Sequence, residues 1–351
     1  MDTRDSPEQA ELRRSARQLA RELGPATVAG LDDTTRAKRL TEAVLDAGWL
    51  DLREDEGDGR PLASGVESAI VADALAGTAA DVAFSGPVLA ADLARRAGAP
   101  DTAGAVVAFS PGLVEAAVVD GDATTSALYA VDCGSDRTGA LLVLQPEDAG
   151  YRVTQLRDGG ATDGTGDGAD LTRQVWTIAE GAAVLPLTGQ GRLLTRDDLA
   201  SWTAFGLALT SADLVGLTRG VLDLTVAYAA ERRQFGLPVG SFQAVQHLLA
   251  EAQCLMEGSL SVALHAAWAV DDLDPDQART AGRVAKAYCA RAARTVCETA
   301  IQVHGGIGNT WDCMAHVYLR RALLSSQWFG GDGEQLRHLE RERLGAVDGL
   351  S

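Results

Sequence analysis

Lysine is almost absent: the 351 residues hold only Lys38 and Lys286, so arginine supplies nearly all of the 31 positive charges set against 49 Asp and Glu. The resulting formal charge of -18 repels polyphosphate backbones and argues against a nucleic-acid partner, while leaving room for a local basic pocket that holds one small phosphorylated ligand. Cys133, Cys254, Cys289, Cys297 and Cys313 form an odd set without CxxC spacing, which argues against a disulfide framework and a zinc site and fits a reducing cytoplasm. No uninterrupted apolar run approaches the roughly 18 residues of a membrane span. The stretch from Met1 to Leu23 carries Asp2, Arg4, Asp5, Glu8, Glu11, Arg13 and Arg14 where an export signal needs an apolar centre, so neither export nor membrane insertion is expected. Low-complexity tracts are missing too. With 46% hydrophobic and 23% charged residues the composition is that of a globular protein, and the length exceeds the ~250–300 residues at which one core stops growing. More than one domain is expected.

Three regions differ in periodicity. In residues 1–102, Leu12, Ala16, Leu19, Ala20 and Leu23 share one helical face, Leu40, Val44, Leu45 and Leu50 repeat it, and the pattern returns through Val66–Leu75 and Pro87–Ala97. Residues 103–194 read as a shortened β domain, with Ala105–Phe109, Ala127–Val131, Ala140–Leu144 and Gln174–Ile178 separated by Gly, Asp and Thr clusters. The Gly- and Asp-rich stretch Asp158–Asp170 reads as a mobile loop; it lacks the ligand order of an EF-hand calcium site. Residues 195–351 are helical again. Leu207, Leu214, Leu217, Val221, Leu224 and Tyr228 mark one helix, Val245 to Met256 a second, Ala281 to Val303 a third, and about Asp312–Gln327 a fourth, which together predict a four-helix bundle.

Two clusters in the bundle carry chemistry. Glu231-Arg232-Arg233-Gln234-Phe235-Gly236, followed by Ser241-Phe242-Gln243, offers guanidinium forks for phosphate oxygens and an aromatic and amides beside a planar ring system. The plainer reading is that arginine complements a helix C-terminus and Gly236 ends the helix. Gln302-Val303-His304-Gly305-Gly306-Ile307-Gly308 lets backbone N–H groups crowd around an anion, or is simply a helix-terminating turn. It follows a helix and not a strand, so it is not a dinucleotide fingerprint.

Taken together, in this order and about 60 residues apart, the two clusters resemble the acyl-CoA dehydrogenase family, strongly over about residues 205–345. The resemblance implies a mainly α fold with a central β domain: an N-terminal helical domain, a small β-barrel domain and a C-terminal four-helix bundle. It implies FAD as cofactor, with Arg232, Gln234, Phe235 and Gln243 towards the pyrophosphate and adenine, and Gln302, Gly305 and Gly306 towards the flavin of a facing subunit. It also implies an acyl-CoA substrate, an electron-transfer-flavoprotein-like acceptor, and a homodimer or a heterotetramer with a homologous subunit. No metal is implied.

The family's reaction needs a carboxylate within reach of the substrate α-carbon. At the usual place, in Gln327-Trp328-Phe329-Gly330-Gly331-Asp332-Gly333-Glu334, Phe329 occupies the base position. At the alternative place, near Phe205, Gly206 and Leu207, there is no carboxylate either. Asp332 and Glu334 are the substitute candidates, although both also suit the start of a closing helix. The flavin loop and Trp-Ile-Thr-type strand of the family have no counterpart between Phe109 and Val131, and Trp176-Thr177-Ile178 comes late. A bundle retained beside an eroded base resembles the smaller subunits of heteromeric bacterial enzymes of the steroid side-chain type. Three readings follow: a subunit completing the FAD site of a catalytic partner, a self-sufficient homodimer using Asp332 or Glu334, or a binding protein without redox chemistry.

Overall fold

A computed structural model describes residues 4–99, 103–134, 139–157, 161–163, 169–187, 189 and 191–348. Most of the Asp158–Asp170 stretch lies outside the described residues. The first region folds into α1 (Pro7–Leu23), α2 (Thr34–Asp46), α3 (Gly65–Ala76) and α4 (Ser85–Ala97). Local signals set the starts: Ser6 with Gln9 and Ser64 with Glu67 form capping boxes, and Asp33 accepts the Arg36 N–H. Helices α3 and α4 are buried over nearly their whole length. Helix α3 is therefore a core helix without an amphipathic stripe, while α4 keeps Arg95 and Arg96 on its less buried side.

The middle region is one seven-stranded sheet of β1 (Val106–Phe109), β2 (Leu128–Cys133), β3 (Leu141–Glu147), β4 (Gly150–Leu156), β5 (Ala161–Asp163), β6 (Gln174–Ile178) and β7 (Val184–Pro186). Its order is β5-β6-β2-β1-β3-β4-β7. The β1–β3 pair is parallel and the remaining pairs are antiparallel. In place of a closed barrel the described strands run from edge β5 to edge β7, with the inner face gathering a core of its own from Val106, Ala108, Leu128, Val143 and Trp176. Residues of the opposite face, Val107, Phe109, Val131, Leu142 and Val153, join the core shared with the helices. Alternation along each strand thus ties the sheet to the helical layers.

The last region consists of α5 (Arg196–Glu231), the short hairpin β8 (Arg233–Gln234) and β9 (Leu237–Pro238), α6 (Gln243–Asp272), α7 (Pro275–His304), α8 (Ala315–Gln327) and α9 (Asp332–Asp348). Helix α5 is capped by Thr195 with Asp198, which also holds Arg192. It is long and apolar enough to cross a bilayer by composition, but most of its apolar window is buried by the protein itself. Gly216 lets α3 approach closely, since a β-carbon there would lie 2.8 Å from Ala76 Cβ and strike the Asp73 carbonyl. Two positions differ from the sequence reading. Helix α5 ends at Glu231, and Gly236 (φ 82°) shares with Phe235 (φ 53°) the left-handed two-residue turn of the hairpin. Helix α8 starts at Ala315 and not near Asp312, because residues 310–314 form a turn of their own in which the Cys313 N–H donates to the Thr310 carbonyl at 3.1 Å.

Candidate functional site

Phe329 follows α8 and turns back into the protein. Its φ of 65° is left-handed, a conformation a bulky residue adopts only where its surroundings hold it. Three bonds do so here: the Phe329 N–H donates to the Leu113 carbonyl at 2.8 Å, and the buried Gln335 amide donates to the carbonyls of Phe329 at 2.6 Å and Gly330 at 3.2 Å. The ring, 2% exposed, meets Phe109 edge-on at 5.2 Å and Trp202 at 5.3 Å. It also lies directly on Gly206, where a β-carbon would stand 2.6 Å from Cε2 and nearer still to Cζ. The two places searched in the sequence for a carboxylate, far apart in the chain, are therefore one place in the fold. An aromatic ring fills it.

The surrounding side chains complete the filling. Trp328 is buried beside the ring, Phe205 is buried next to Gly206 in α5, and Trp202 Nε1–H is spent on the Leu89 carbonyl at 2.9 Å. Arg53 stands 4.6 Å over the Phe205 ring. The buried carboxylate next to Arg53, Asp92, is paired to Arg53, Arg95 and Arg96. Burial alone would raise that carboxyl, but the three guanidinium groups hold it far below the ordinary range. It is an ion-pair centre with no proton affinity to lend.

Asp332 and Glu334 sit in the first turn of α9. Asp332 is exposed, and Glu334 is paired with Arg337 and, at 3.3 Å, with His338. The Arg337 contact lowers the Glu334 carboxyl from its usual value, the opposite of what a general base in a hydrophobic pocket requires. The structure leaves both at the surface while Phe329 points inward.

A buried charged network adjoins the aromatic cluster, and the sequence reading missed it. Asp213, midway along α5, accepts from Arg173 and Arg321 at 2.7 Å each and from the Ser325 hydroxyl at 2.7 Å. Arg173 also faces Asp132 at 3.4 Å and stands 5.6 Å from the Trp328 ring. Lys286 on α7, fully buried, donates to the Ser325 carbonyl. Burial lowers the Lys286 ammonium to about 7, partly opposed by Asp213. Burial would raise Asp213, but Arg173 and Arg321 prevail and keep it depressed. The available signal was a charged residue on each of three otherwise apolar helical faces.

The nucleotide candidates lie at one end of the bundle. Because α5 and α7 run in the same direction, separated by the reversed α6, their C-terminal ends coincide: the Tyr228 ring stacks on His304 at 4.3 Å and its hydroxyl donates to the His304 carbonyl at 3.3 Å. Arg232 is one turn beyond Tyr228, Gly305 directly follows His304, and Gln243 opens α6 at the same end. Arg232, Gln234, Gln243, Gln302, Gly305 and Gly306 are all exposed, and Phe235 is 93% exposed. A β-carbon at Gly305 or Gly306 would meet nothing within 4 Å. The first turn of α6 has neither a side-chain cap nor an acidic residue, and a helix start without negative charge favours an anion.

Residues 204–344 match the family model for the acyl-CoA dehydrogenase C-terminal domain. The bundle belongs to the acyl-CoA dehydrogenase family. Acyl-CoA dehydrogenase FadE34 of Mycobacterium tuberculosis is 40% identical over 182 residues, covering 50% of this chain and 24% of that protein. Acyl-CoA dehydrogenase IpdE2 of Mycolicibacterium smegmatis is 35% identical over 173 residues, 49% of this chain and 50% of that protein. The chain thus spans a quarter to a half of the length of these curated relatives. A chain of the ChsE4-ChsE5 complex from Mycobacterium tuberculosis superposes with a TM-score of 0.80 at 25% identity, covering 98% of this chain and 99% of that one. The fold throughout is therefore that of the acyl-CoA dehydrogenases.

Against FAD, the cofactor that the resemblance implies, the candidate residues fall into two groups. The exposed guanidinium, amide and glycine groups at the bundle end have the chemistry that phosphates and an adenine require. Inside, the packed Phe109, Trp202, Trp328 and Phe329 rings and the Arg173–Asp213–Arg321 network occupy the junction of sheet and bundle. That interior does not fit an acyl-dehydrogenation centre. Among the described residues there is also no group of three His, Cys, Asp or Glu side chains placed to hold a metal.

Proposed function

We propose that this chain is the non-catalytic subunit of a two-subunit, FAD-linked acyl-CoA dehydrogenase. It presents Arg232, Gln234, Gln243, Gln302, Gly305 and Gly306 to an FAD whose ring, base and acyl pocket belong to a homologous partner. The observation carrying this reading is the Phe329 ring packed on Gly206, which removes both family positions of the base and the space an acyl group would need. The heteromeric ChsE4-ChsE5 complex supports the assembly. When bound, FAD would accept the β-hydride as the α-proton leaves the thioester. This chain's residues would hold the nucleotide and exclude water from the interface.

In the assembly, the three regions read from the sequence, 1–102, 103–194 and 195–351, act as one scaffold. The acyl chain accepted, up to a steroid side chain, is set by the partner, and electrons leave to a flavoprotein acceptor from the partner's face. The setting is cytoplasmic. Co-expression with homologous dehydrogenase chains tests the reading: a stable yellow complex that oxidises acyl-CoA is expected, with this chain alone colourless and inactive. A homodimer that turns over alone and loses activity on Asp332→Ala or Glu334→Ala would establish the self-sufficient alternative instead. Acyl-CoA binding without flavin in any pairing would establish the non-redox one.

A further inference from the structure

We propose that the outer face of α1 carries a binding site for the phosphate end of a small molecule, built from Arg13, Arg17 and Arg21 and backed by Asp73 and Arg219. Arg219 stands about 20 Å before Arg232 along α5, so this site is separate from the nucleotide-facing end of the bundle and does not rest on the function proposed above. Sequence spacing sets it up. Residues 13, 17 and 21 are four apart, which places their guanidinium groups on one side of α1, while Ala16 and Ala20 face the core. With Arg14, Asp5 and Glu22 they line a surface cavity of about 520 Å³. Behind Arg13 and Arg17 lies Asp73 of α3, 4% exposed. Its carboxylate faces three cations: Arg219 donates to Oδ1, and Arg17 Nη2 at 3.4 Å and Arg13 Nη1 at 3.6 Å stand by Oδ2. The close approach of α3 and α5 at Gly216 brings Arg219, one turn further on, to this carboxylate.

One carboxylate does not satisfy three guanidinium groups. Asp5 takes Arg13 in a bidentate pair at 2.7 and 2.8 Å, Glu11 takes Arg14, and Glu22 accepts from the Gln18 amide at 2.9 Å. Because Arg219 occupies Asp73, Arg17 keeps only its contact at 3.4 Å and remains 37% exposed. Arg21 is exposed in the same cavity, with neither an ion pair nor a hydrogen bond among the described residues. Both forks therefore have donors to spare. The electrostatics agree with this geometry. Asp5 raises the Arg13 guanidinium above its usual value, whereas burial, with Arg219 and Arg13 alongside, lowers that of Arg17 although Asp73 opposes the change. An anion relieves such crowding of like charges, and the surplus is local, in a chain of formal charge -18.

The spacing of the forks selects phosphate. Successive arginines rise about 6 Å along the helix, so a planar carboxylate meets one fork, whereas a phosphate or diphosphate presents oxygens to two forks at once. Among the described residues no aromatic side chain lines the cavity. The site thus reads the phosphate end and not a ring attached to it.

The test uses the full chain without partner or flavin, titrated calorimetrically with sodium pyrophosphate against sodium chloride of equal ionic strength. Pyrophosphate should bind and should protect Arg17 and Arg21 from phenylglyoxal, read by peptide mass spectrometry. Arg232 in the same digest reports the bundle end separately, so failure here and failure of the function proposed above are distinguishable. Arg17→Ala and Arg21→Gln should each weaken binding by roughly tenfold, as expected for the loss of a charge-assisted fork. Arg21→Gln removes a side chain without a partner among the described residues and keeps the fold, which circular dichroism checks, so the result stays readable where Arg17→Ala loosens α1. Absence of binding, an affinity that ignores both variants, or protection confined to Arg232 overturns the site. Vesicles containing phosphatidic acid distinguish a lipid source of the phosphate: they should remain unbound, and binding to them in place of pyrophosphate overturns the small-molecule assignment.

Discussion

Gly206 and Phe329 interlock: the backbone of α5 is bare at Gly206 because the Phe329 ring rests on it, 2.6 Å from the place a β-carbon would take to Cε2. The pair accounts for two absences at once, since one residue cannot regain a side chain while the other keeps its ring. Restoring a carboxylate at Gly206 should therefore damage the fold before it creates a base. Gly206→Ala is expected to destabilise by about 1–3 kcal/mol through overpacking, and Phe329→Ala by about 3–5 kcal/mol through the cavity it leaves. Combined, the two should cost clearly less than their sum, because the second removes the clash created by the first. Denaturant unfolding of the four proteins measures this; strict additivity would show that the residues do not interlock.

The buried network predicts a distinctive acid response. With its folded pKa depressed by Arg173 and Arg321, Asp213 contributes stability that is present above the unfolded aspartate value of about 3.9 and lost as pH falls towards the folded value. Asp213→Asn should cost about 3–5 kcal/mol near neutrality, because two buried guanidinium groups lose their common anion. It should also flatten the decline in stability below about pH 4. Chemical denaturation across pH reads both effects.

Lys286 acts in the opposite pH range. Burial lowers its ammonium to about 7, so between that value and the unfolded lysine value of about 10.4 the unfolded chain binds more protons than the folded one. Stability should rise with pH across this window on account of Lys286, and Lys286→Met should remove that slope. An unchanged slope in the variant would place the proton elsewhere.

The bundle was legible in the sequence and its interior was not. The period of Leu207, Leu214, Leu217, Val221 and Leu224 predicts α5 because a buried face repeats at helical spacing, and α6 and α7 are read in the same way. Strand β4 escaped notice, although Tyr151, Val153 and Gln155 alternate with Arg152, Thr154 and Leu156 along it, because its pattern is polar on both sides until it pairs with β3. Phe329 was legible as a missing base only by resemblance. That its ring meets Gly206, more than a hundred residues earlier, depends on how α5 packs against the end of α8. Asp213, Arg321 and Lys286 each look like an isolated charge in an apolar helix; their meaning appears only when three helices and the loop carrying Arg173 converge.

Surface substitutions at the bundle end should separate function from folding. Arg232→Ala and Gln243→Ala remove exposed side chains and should change stability by no more than about 0.5 kcal/mol. In the assembly each should weaken flavin retention, Arg232→Ala the more because it removes a charged fork for phosphate. Thermal unfolding and released flavin are read on the same samples. A loss of stability without a loss of flavin would make these residues structural.

The most direct measurement is the flavin content of this chain purified alone and then with a homologous catalytic chain. A colourless chain alone, and one FAD per pair of unlike subunits in an active complex, is the predicted result. A chain that purifies yellow by itself and oxidises an acyl-CoA would contradict the account.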